Sequence, residues 1–146
     1  FTYHLYTALK DSKDVTIAAF AAKSLKEVTY HLRHSAEWVV RLGDGTEESH
    51  EKAQESLDNI WEYTADLFAT NEVNEILIKE GIAVDLTAIK PLWDTTINEV
   101  LSRATLTRPE DKFMQKGSLD GMHSEALGHL LTEMQFLPRA YPDAKW

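Results

Sequence analysis

The residues best suited to chemistry in this sequence are acids and histidines at helical spacing. Glu27 and His31 stand four apart, with His34 and Glu37 a turn further on. Glu125 and His129 repeat that interval, with Glu133 beyond. Four residues is close to one helical turn, so each pair shares a face. Helical bundles bind paired metal ions through Glu residues on two helices and Glu-x-x-His pairs on two others. That template places His three residues after Glu. Started at Glu27 it meets Tyr30, and started at Glu125 it meets Gly128. A Glu–His pair at four residues is also an ordinary surface pair, worth roughly 0.2–0.5 kcal/mol. The structural interpretation is therefore favoured, and no catalytic, cofactor or metal residue is assigned. A metal site built from Glu27, His31, Glu125 and His129 is the alternative.

Glu47-Glu48-Ser49-His50 matches the i, i+3 spacing literally, but it falls in the first turn after Gly43-Asp44-Gly45. Acids there are better explained by the positive end of the helix dipole. Asp120-Gly121-Met122-His123 has the same weakness. Trp38, Trp61, Trp93 and Phe68 fall on or near helical stripes and are read as core or interface anchors, because such side chains dominate burial. Lys23, Lys26 and Arg33 read as a solvated face, with a partner contact as a further use. No phosphate loop, dinucleotide fingerprint or nucleophile elbow occurs.

The elements that must position these residues read as helices. Residues 1–9 have a helical pattern with no cap before Phe1, which implies polypeptide upstream. Asp14 is suited to cap a long helix over residues 15–42, whose apolar stripe is Ala18, Ala21, Leu25, Val28, Leu32, Ser35 and Val39. Gly43 suits a left-handed stop. Thr46 caps the next helix, with Ala53, Leu57, Ile60, Trp61, Thr64 and Phe68 inward. A short helix over residues 72–80 ends at Gly81. Asp85 caps another, in which Pro91 threatens a kink and Leu92, Thr96, Val100 and Leu101 carry the stripe. Residues 105–120 read as a connection. The last helix spans residues 122–137, closed by Pro138 and Pro142. The expected architecture is all-α, an antiparallel helical bundle over residues 1–146 as a single domain, with apolar faces left for other helices or another subunit to cover.

Composition narrows the function. The 146 residues carry a formal net charge of -9, unlike a free-standing nucleic-acid binder or a protein docking on anionic lipid. No apolar run approaches the roughly 20 residues of a membrane span. Cysteine is absent, which removes disulfides and thiolate sites. The cytoplasm is the default location.

Three segments carry a resemblance: Ala22 through Ser35, reading AKSLKEVTYHLRHS; Trp38 through Thr46, reading WVVRLGDGT; and His123 through Gln135, reading HSEALGHLLTEMQ. The pieces GIAVD at residues 81–85 and ATLT at 104–107 fall in the same order. Together they resemble the C subunit of the bacterial ring-1,2-phenylacetyl-CoA epoxidase, an oxygenase complex of phenylacetate degradation. The resemblance implies a ferritin-like fold, here the C-terminal part lacking the first helices. It implies a non-catalytic structural subunit beside a homologous catalytic oxygenase subunit and the other components of the epoxidase complex. It places a di-iron centre in that partner and NADPH at a separate reductase component, with no cofactor in this chain. A di-iron oxidase carrying its own metal is the alternative.

Overall fold

The computed structural model describes residues 1–145. These residues form six α-helices: α1 (Thr2–Leu9), α2 (Val15–Gly43), α3 (Glu47–Trp61), α4 (Glu72–Lys79), α5 (Leu86–Arg103) and α6 (Glu125–Ala140). Single 3-10 turns lie at Thr64–Phe68 and Ser118–Asp120, and no strand is present among the described residues. The fold is an all-α, ferritin-like helical bundle. None of the helices is long and apolar enough to cross a membrane. The chain divides into two compact units, Phe1–Lys116 and the residues from Gly117 onward.

Local chemistry sets the helix ends in the first unit. The Asp14 carboxylate accepts hydrogen bonds from the Thr16 and Ile17 amides, the Thr46 hydroxyl from Ser49, and the Asp85 carboxylate from Thr87. Asn71 and Asn74 form a reciprocal capping box at the start of α4, with asparagine in place of the usual Glu or Gln. Gly81 has φ +74°. Its amide donates to Ile78 and the Ile82 amide to Leu77, the paired bonds of a Schellman stop.

The same stop ends α5 without a glycine. Thr105 takes φ 58°. Its amide donates to Ser102 and the Leu106 amide to Leu101. A β-branched residue in the left-handed region is costly. Leu101 and Leu106 hold the turn by packing with Ala104 as the core cluster, against Val39, Val40, Ala53, Leu57 and Ile97.

Several sequence expectations need correction. Gly43 is the last residue of α2, and its φ is not positive. Its requirement is space, because a Cβ there would fall on the Ala104 carbonyl oxygen, 2.9 Å from Ala104 Cβ. Of the α5 stripe, Leu101 is buried and Thr96 and Val100 are half-buried, but Leu92 is exposed and Ile89 and Trp93 are buried instead. Ile60 is 60% exposed although Trp61 beside it is buried. Ser35 is exposed too. Pro91 lies within an unbroken α5, and Pro138 lies within α6 rather than after it. Each lacks the N–H that would otherwise bond the carbonyl four residues earlier, at Thr87 and at Met134. The chain leaves the helix at Tyr141, just before Pro142.

Leu32 is only half-buried, in an open recess with Val28, Phe1 and Tyr3. Core truncation of the ~2–5 kcal/mol kind does not apply there. Leu32→Ala is expected to lower stability by about 1 kcal/mol, since only part of the side chain leaves water on folding. Urea unfolding of this segment checks it.

In the second unit, Gly117 and Gly121 take φ 111° and 79° around the Ser118–Asp120 turn. The α6 helix that follows keeps Leu130, Met134, Phe136 and Leu137 more than half exposed.

Candidate functional site

The candidate metal residues stand on open surface. Glu27, His31 and His34 are exposed along α2, and Glu125, His129 and Glu133 are exposed along α6. The two sets lie in different units. Within the first, Glu37 turns to α5 and pairs with Arg103 at 2.6 Å. That hydrogen bond and charge hold the Glu37 carboxyl below its ordinary pKa. His34 stacks on Tyr30 at 5.7 Å between ring centroids and meets Trp38 edge-on at 6.4 Å. Among the described residues no group of three or more His, Asp or Glu side chains is placed to hold a metal ion.

The literal Glu-x-x-His match has another use. The His50 ring Nδ1 lies 2.7 Å from the Gly43 carbonyl oxygen, to which the Thr105 hydroxyl also donates at 3.2 Å. The Ser49 hydroxyl donates to Leu42 at 2.7 Å. These groups satisfy the last carbonyls of α2, which have no partner within the helix. Glu48 pairs along its own helix with Lys52. In the second unit Asp120 and His123 are exposed.

The densest arrangement of charged and aromatic groups lies between α3 and α5. Trp61 and Trp93 stack at 5.9 Å, and Phe68 meets Trp93 edge-on at 5.4 Å. The Arg108 guanidinium lies 4.9 Å from the centre of Trp61 and 5.8 Å from that of Trp93. Asp94 holds it at 2.6 Å and binds Lys90 at 2.9 Å. The Trp61 indole N–H donates to Asp111 at 2.8 Å. The space left among these groups is about 40 Å³, little more than one water molecule occupies in the liquid. This is a packed joint fastening residues 108–111 across two helices. Two of its tryptophans are visible in the helical pattern. Arg108 and Asp111 are not, because they come from an irregular segment with no period to read.

Asp94 carries a pH dependence. Burial raises its carboxyl pKa, but the hydrogen bonds and charges of Lys90 and Arg108 outweigh burial and leave it below the ordinary 3.8. The unfolded chain therefore binds this proton more readily than the folded one. The stability supplied is complete above pH about 4 and disappears as pH falls through the lower folded value. Asp94→Asn is expected to cost about 1 kcal/mol near pH 7. The deficit should shrink near pH 3, as read by urea unfolding at both values.

A separate groove of about 450 Å³ runs between α2 and α3, lined by Val39, Leu42, Ala53, Leu57, Ile60 and Leu106 among others. Its walls are mostly apolar, and the acid and base that line it, Glu48 and Lys52, are joined to each other along α3. The groove thus offers an apolar packing surface.

The family described as "Phenylacetic acid catabolic protein" matches residues 1–146. The chain belongs to this family. It is 40% identical over 142 residues to the C subunit of 1,2-phenylacetyl-CoA epoxidase from Escherichia coli (strain K12). The match covers 97% of this chain and 57% of that relative, so the chain spans little more than half of the relative's length. The phenylacetic acid catabolic assignment supplies the fold and the general setting. Roles for individual residues rest on the geometry above.

Proposed function

We propose that this chain belongs to a non-catalytic structural subunit of a phenylacetyl-CoA ring-1,2-epoxidase, supporting a homologous di-iron oxygenase subunit in aerobic phenylacetate catabolism. The observation that carries the reading is the fate of the helical acids and histidines. Glu27 and His31 face solvent, Glu37 is committed to Arg103, and His50 is committed to the end of α2. A bundle metal site instead needs acids and histidines projecting inward from several helices. The related epoxidase subunit from Escherichia coli supports the setting, as do the large side chains left exposed on α2 and α6, which a companion protein would cover. On this reading the chain holds no cofactor, iron resides in the companion, electrons arrive from NADPH through a reductase component, and the complex works in the cytoplasm.

The test is to purify the full-length protein alone, measure its iron, and mix it with the companion oxygenase. Co-elution with little iron in the isolated protein is expected. About two irons per chain, the content of a di-iron bundle, would overturn the reading in favour of an oxidase with its own centre. Failure to associate at micromolar concentration would overturn the scaffold role.

A further inference from the structure

We propose that the exposed face of α2 carrying Tyr30, Arg33, His34, Trp38 and Arg41 is the surface that docks the companion oxygenase, and that its counterpart is an acidic helix surface with an apolar centre. This inference rests on the scaffold reading above and deepens it by naming the surface.

Tyr30 is 53% exposed and Trp38 49% exposed, although both are large aromatic side chains that gain by leaving water. Tryptophan, tyrosine and arginine are the residues most often found to dominate binding at protein interfaces. Here they recur at intervals of three or four, so they occupy one side of the helix.

The surface is also preorganised. Tyr30 stacks on His34, and His34 meets Trp38. The Arg33 guanidinium lies 5.6 Å from the centre of the Tyr30 ring, and that of Arg41 lies 5.6 Å from the centre of Trp38. These long side chains are already held, so less rotamer freedom is lost on binding.

The whole chain has a net charge of -9, yet this side of α2 also carries Lys23 and Lys26, giving four exposed cations with the two arginines. Among the described residues none of the four forms an ion pair. Of the two acids nearby, Glu37 is already paired with Arg103, leaving Glu27. A local cationic face on an acidic protein selects an acidic partner and steers its approach. From Lys23 to Arg41 the face runs for roughly 27 Å at 1.5 Å per residue, long enough to lie along a partner helix. Nucleic acid also likes cations and aromatic rings, but the charge of the whole chain opposes it.

The test uses the full-length protein and the purified companion oxygenase, with affinity measured calorimetrically at two salt concentrations. Trp38→Ala is expected to weaken binding about 30-fold, the loss of one strong anchor. Arg33→Glu with Arg41→Glu is expected to weaken it about 100-fold and to flatten its salt dependence. Unfolding midpoints should not move, because these side chains are exposed. Ile60→Asp on the α2–α3 groove should bind like the unaltered protein. Unchanged affinity in the α2 variants overturns the inference while leaving the scaffold role intact. So does an affinity loss accompanied by a lowered unfolding midpoint, or a homodimer that the α2 substitutions abolish while the complex survives. If the unaltered protein does not bind the companion, both readings fall.

Discussion

Replacing Trp93 with alanine is expected to lower the stability of the first unit by about 3–5 kcal/mol, the range for truncating a buried aromatic. Trp93 is 5% exposed and meets both aromatic rings and cations. One face stacks on Trp61, an edge meets Phe68, and the cations Lys90 and Arg108 lie within 5.9 Å of its centre. Truncation forfeits the transfer of the indole out of water and opens a cavity among groups that cannot collapse, because Arg108 is tied to Asp94 and Asn98. Trp93→Phe keeps a ring at the same place and should lose less than half as much. Equilibrium urea unfolding reads both changes. A loss below about 1 kcal/mol for the alanine variant, far under the range for a buried ring, would mean that the α3–α5 joint is not a principal support of the fold.

Much of the architecture is legible in the sequence because helices advertise themselves by period and by caps. Asp14, Thr46, Asp85 and Gly81 act at the helix ends where their chemistry places them, and the long apolar repeat from Ala18 to Val39 gives α2. What sequence alone misplaces are features decided by neighbours distant in the chain. The inward side of α5 is set by contacts with α1, α2 and the Thr64–Phe68 turn and by the stacking on Trp61, which bury Trp93 and leave Leu92 exposed. Thr105 stops α5 in a conformation for which the sequence supplies no glycine, held by the packing of Leu101 and Leu106. The Asn71–Asn74 box escapes a search for acids at the third helical position.

The candidate site was harder to read for a related reason. Spacing reports that Glu27 and His31 share a face, but not which way that face points. His50 shows how a motif match is absorbed. Its spacing from Glu47 matches a metal pair, but the ring binds the carbonyl of the preceding helix. The aromatic and basic residues of α2 read separately as anchors and as a solvated face. Only the arrangement of Tyr30, His34 and Trp38 beneath two guanidinium groups joins them into one surface.

Gly43→Ala provides a test in which intrinsic propensity and packing have opposite signs. Alanine is favoured over glycine inside a helix by about 1 kcal/mol, and Gly43 has an ordinary helical backbone, so propensity alone predicts a more stable protein. Packing predicts the reverse. The new Cβ would fall on the Ala104 carbonyl oxygen, 2.9 Å from Ala104 Cβ and 3.0 Å from Leu106 Cγ. Ala104 is wholly buried and belongs to the turn that ends α5, so the obstruction is backbone rather than a side chain free to swing aside. Overpacking of this kind costs roughly 1–3 kcal/mol, and separating α2 from α5 would also disturb the bonds that His50 and Thr105 make to the Gly43 carbonyl. A net loss of about 1–2 kcal/mol is expected for alanine and about 3 kcal/mol for Gly43→Val, whose branches add to the same collision. Gly128→Ala supplies the contrast. No atom lies within 4 Å of a Cβ at Gly128 in α6, so that substitution should raise helix stability by up to about 1 kcal/mol. Thermal unfolding followed by far-ultraviolet circular dichroism reads both signs. Stabilisation by Gly43→Ala would show that α2 and α5 do not meet as closely as the Gly43–Ala104 contact requires.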